Sequence, residues 1–224
     1  MVSAVDKPKT MQRILSLASV VGLSFLAVHP TQADLFATSP QGGSASVSIT
    51  RTLGTPFAFS NATAIVTSLG FFDSNGDGLS EAHQVGIFGP DRSLLGMVTI
   101  QSGTASTLHD GVRWAALASP ITLAANTEYM LATTIQEGGD LINGCNPWQV
   151  TLASGFALTQ AGYTEGFDGS NLVYPEFPTS QMFYGFGANF EMTRVPEPGT
   201  MTLLAVGLVR LYAITGSDQP RQIT

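Results

Sequence analysis

The chain has 224 residues, 44% of them hydrophobic and only 11% charged, with a formal net charge of −7. That charged fraction is far below the roughly 25% usual for globular domains. It leaves poor material for amphipathic surface helices, whereas 24 glycines suit short strands and tight turns. From Asp34 onward there is no lysine, and six arginines stand against fifteen acidic residues, a net of −9. Such a surface repels nucleic acid and anionic lipid, so neither is an expected partner.

Residues 1–33 read as a signal peptide. Lys7, Lys9 and Arg13 make a basic start, Ile14 to Val28 an apolar core, and Thr31-Gln32-Ala33 a small-residue cleavage site between Ala33 and Asp34. The apolar run is shorter than the ~20 residues that span a bilayer. Secretion is therefore expected. Cys145 is the single cysteine, so no intramolecular disulfide is available, and stability rests on the core and on any bound metal.

The next segments, residues 34–193, alternate short apolar runs with turn residues. Predicted strands cover 44–50, 64–72, 83–89, 94–101, 112–118, 128–136, 148–158 and 182–192, separated by turns such as "SNGDG", "GPDRS", "HDG" and "NGCNP". This spacing, without helical periodicity between the runs, predicts an all-β fold: an antiparallel β-sandwich of jelly-roll type. Val85 and Ile87 are expected to share one face of their strand. Residues 161–181 read as a long aromatic-rich loop.

The sharpest motif is "DSNGDGLSEAHQ", Asp73 to Gln84. Asp73, Asn75 and Asp77 followed by Gly78 match the first half of a calcium-loop pattern. Leu79 would add a carbonyl and Glu81 a carboxylate. The twelfth position holds Gln84 instead of the bidentate Glu, and the same residues also suit an ordinary polar turn. Trp148, Tyr163 and Tyr174, with Trp114, Phe167 and Phe177, are candidates to stack on sugar rings or else to pack as core and loop clamps. No catalytic residue is assigned and no enzyme is expected. His83 and His109 are the sole histidines after Ala33, and there is no nucleophile elbow. The alternative is a polysaccharide hydrolase whose acid pair lies among Glu137, Asp140, Glu165, Asp168 and Glu176.

Residues 194–224 carry the most specific signal. Val195-Pro196-Glu197-Pro198, the apolar segment Met201 to Val209 and then Arg210 resemble the PEP-CTERM sorting signal of Gram-negative bacteria that make exopolysaccharide. The Pro-x-Pro stretch is expected to stay extended and open to a protease. The resemblance implies processing by an exosortase, with membrane contact confined transiently to this tail. "DSNGDGLSEAHQVGIF", "LLGMVTI" and "PITLAANTEYMLA" resemble the β-sandwich domains of unknown function found in PEP-CTERM proteins. The expectation is a secreted cell-surface or exopolysaccharide-matrix protein, adhesive or glycan-associated, with calcium as its candidate cofactor. A purely structural matrix protein is a further alternative.

Overall fold

The structure, a computed structural model, describes residues 33–38, 44–45, 49–60, 63–145, 151–159, 164–178 and 184–195. Among them there is no helix, and every strand pairing is antiparallel. Strands are numbered in chain order. One sheet runs β1 (Asp34–Leu35), β17 (Ala188–Val195), β5 (Thr63–Phe72), β9 (Val112–Leu123) and β8 (Thr107–His109). The larger sheet runs β15 (Phe177–Pro178), β14 (Thr164–Gly166), β4 (Arg51–Phe59), β10 (Thr127–Ile135), β6 (His83–Phe88) and β7 (Leu94–Ile100), with β13 (Phe156–Leu158) also on β4. Two small sheets complete the fold: β16 (Tyr184–Phe186) with β11 (Ile142–Cys145) and β3 (Ser44–Ala45), and β12 (Thr151–Leu152) with β2 (Ala37–Thr38). This is the antiparallel β-sandwich that the run-and-turn pattern predicts.

The core lies between the two main sheets. Phe36 stacks on Phe190 of one sheet at 4.6 Å between ring centroids and contacts Phe57 of the other at 5.0 Å. Val85 and Ile87 point inward, both fully buried. Along β5 the inward set is Ala64 and Val66, then Leu69 and Phe71. The parity changes because Thr67 is an extra residue: Val66 pairs Met192, and Ser68 pairs Glu191. A bulge of this kind moves every later side chain to the opposite face.

Three departures from the predicted strands have local causes. β4 was not predicted, because Gly54 and Pro56 break the strand signal. Pro56 is tolerated where β14 ends at Gly54 and β13 begins at Phe57. Its carbonyl accepts from Thr159 on that side, so the missing N–H faces the gap between two partners instead of the continuous ladder with β10. The predicted 148–158 strand divides into β12 and β13, because Gly155 adopts φ 85° and the Phe156 N–H turns back to the Ala153 carbonyl. The 182–192 run divides at Gly187 into β16 and β17, which pair in different sheets.

The outer face of the larger sheet is also covered. Leu172 and Tyr174 pack on Phe88, Met130 and Ala132, so β4 and β10 are buried on both faces along most of their length.

Candidate functional site

The turn after β5 is organised by Asp73. Its Oδ1 accepts from the Gly76 N–H at 2.9 Å and its Oδ2 from the Gly78 N–H at 3.1 Å. Gly76 and Gly78 take φ of 72° and 114°, which lets their amides converge on one carboxylate. The Arg113 guanidinium donates to Asp73 Oδ2 at 2.8 Å, and its remaining nitrogens donate to the carbonyls of Gly76, Thr104 and Ser106. Arg113 thus ties Asp73 and the turn to the 104–106 loop. The structure regroups the four residues of the calcium-loop reading. Asp73 is a buried structural acceptor, Asn75 and Asp77 are exposed at the turn's tip, and Glu81 belongs to a different cluster.

That second cluster joins two loops. Asp140 accepts from the Ser80 N–H at 2.8 Å and from the Glu81 N–H at 3.2 Å. In return, Glu81 accepts from the Gln136 N–H at 3.1 Å. Burial pushes the Asp140 carboxyl up, but the hydrogen bonds from the Ser80 N–H, the His83 ring and the Glu81 N–H outweigh it and hold the group below the usual carboxylate range. His83 opens β6, points inward and stacks on Phe71 of the facing sheet, 3.6 Å between centroids and 3° between planes. Its Nδ1 lies 2.8 Å from the Thr134 carbonyl, and its Nε2 lies 3.0 Å from Asp140 Oδ2 and 3.9 Å from Glu81 Oε1. Gln84, the twelfth residue of the motif, is structural: its N–H donates to Thr134 Oγ1 and its Oε1 accepts from Leu172.

Between the two loops lies a cleft of about 270 Å³ whose lining includes Asp73, Asn75, Asp77, Ser80, Gly139 and Asp140. Of its three carboxylates Asp73 is paired with Arg113, and Asp77 and Asp140 give the cleft its negative charge.

The aromatic loop is divided by role. Tyr174 is a clamp: it packs edge-on against Phe88 at 5.5 Å while Arg92 lies 5.1 Å over its ring. Trp114 is buried, stacked on His109. Phe167 and Phe177, by contrast, are 70% and 49% exposed and pair at 4.7 Å on the β14–β15 edge. Trp148 and Tyr163 lie outside the described residues, as do Pro196, Glu197 and Pro198. The acids proposed for a hydrolase are largely occupied elsewhere. Glu165 pairs with Arg51, Glu176 with Arg92, and Asp168 accepts from the Ser170 and Asn171 amides.

Fold and sites together define an antiparallel β-sandwich with an acidic loop cleft and an exposed aromatic edge. Residues 37–182 match the family described as Domain of unknown function (DUF4082). The match covers more than half of the chain, and the protein belongs to that family. No curated protein matches it.

Proposed function

We propose that this protein is a secreted component of the cell surface or exopolysaccharide matrix of a Gram-negative bacterium, sorted by an exosortase and holding glycan without catalysis. The reading of its route rests on the signal peptide ending at Ala33 and on Val195-Pro196-Glu197-Pro198.

The observation that carries the binding half is the Phe167–Phe177 pair. Large aromatic rings left in water are uncommon without a partner. The two adjacent rings, tilted 43° to one another, each offer an apolar face to the C–H side of a pyranose. A charged group flanks them: Arg51 lies 5.4 Å over the Phe167 ring and can hydrogen-bond sugar hydroxyls at the rim.

Co-sedimentation of the purified protein with the producing cells' exopolysaccharide tests the reading. Saturable binding is expected. Recovery no greater than that of an unrelated acidic protein contradicts it.

A further inference from the structure

We propose that His83, Glu81 and Asp140 form a binding site for one divalent transition metal of the zinc class, a site independent of the aromatic edge. The argument begins with His83, which is 1% exposed and locked in orientation by Phe71. A carbonyl oxygen can only accept, so the contact with Thr134 requires a proton on Nδ1. Nε2 faces the carboxylates of Asp140 and Glu81 at 3.0 and 3.9 Å, and a metal there takes the place of the proton that Nε2 otherwise shares with Asp140. A cation at that point satisfies all three. Ligating histidines commonly donate the other ring N–H to a carbonyl, as His83 does, which fixes the tautomer for coordination.

The distances agree. Metal bonds of about 2.05 Å at tetrahedral angles separate ligand atoms by roughly 3.3 Å. The Nε2 separations of 3.0 and 3.9 Å bracket that value, and all three ligand atoms lie within 4.8 Å of one another. Among the described residues this is the one group of three His, Cys, Asp or Glu so placed. The carboxylates are held in advance of binding, since Asp140 is fixed by the 80–81 amides and Glu81 by the Gln136 amide. Asp140 also lines the acidic cleft, which gives a hydrated cation its approach.

The ligand set selects the metal. One imidazole and two carboxylates, with a water as fourth ligand, suit zinc. Calcium requires six to eight oxygens and has no use for an imidazole.

The test is titration of the purified chain, stripped by chelator and free of any histidine tag, with zinc chloride against a chromophoric competitor. One zinc per chain is expected, undisturbed by excess calcium. Glu81→Gln and Asp140→Asn should each weaken zinc binding by more than about tenfold. Nitrogen NMR of His83 should show Nε2 without a proton in the zinc form. Three results would overturn the proposal: no stoichiometric zinc, affinity unchanged in both variants, or a His83 ring protonated on both nitrogens at saturating zinc.

Discussion

Arg113 and Asp73 meet at 2.8 Å with their side chains 4% and 2% exposed, one from β9 and one from the turn that follows β5. Removing the arginine alone leaves a carboxylate buried without its cation, which typically costs about 3–5 kcal/mol. Arg113→Met is expected to lose that much in urea unfolding. Adding Asp73→Asn should destabilise by less than the sum of the two single changes. A loss below about 1 kcal/mol for Arg113→Met would show that the turn does not depend on the pair.

The ring of Phe36 sits in the core among Phe57, Phe156 and Phe190 at centroid distances of 4.6–5.3 Å. Phe36→Ala should cost about 3–5 kcal/mol. Two residues earlier, the exposed Asp34–Arg194 ion pair at 2.8 Å should matter little: Asp34→Ala is expected to cost under about 1 kcal/mol. Equal losses would contradict a domain whose core begins immediately after Asp34.

Asp168 gives the aromatic loop a defined acid response. The Asn171 N–H, then the Ser170 N–H and the Asn171 side chain, hold its carboxyl below the ordinary 3.8. A depressed folded-state pKa means that the loop's stabilisation is fully present above the unfolded value and is lost as pH falls through the folded one. Amide protection at Ser170 and Asn171 should therefore stay flat from neutrality down to about pH 4 and decline only in stronger acid. Asp168→Asn should flatten that decline. A decline centred near pH 6 would assign the loop's stability to another group.

Much of this fold was legible because turn residues punctuate the chain where strands end, and because Val85 and Ile87 alternate cleanly. β4 was hidden: its buried residues Leu53, Phe57 and Phe59 are spaced by four and then two, but Pro56 masks the pattern until its neighbours are seen to leave a gap there. The site was half legible. "DSNGDG" forms a turn held by Asp73, yet nothing local announces that Arg113, 40 positions away, pairs with that aspartate. Glu81 and His83 stood inside the quoted motif, two apart and so on one face of an extended segment. Their partner Asp140, 57 residues beyond His83, is brought in by the β10–β6 pairing. Tyr174 and Phe177 looked alike in the sequence, and the packing of Leu172 and Tyr174 on Phe88 separates the clamp from the exposed ring.

The most direct test of glycan association is a binding isotherm on the exopolysaccharide for the wild type and for the Phe167→Ala/Phe177→Ala variant, each with its melting temperature. Stacking is worth about 0.5–1.5 kcal/mol per aromatic contact. The double variant should therefore bind at least about fivefold more weakly with little change in melting temperature, since Phe167 is largely and Phe177 half exposed. Binding as tight as wild type by a folded variant would contradict the account.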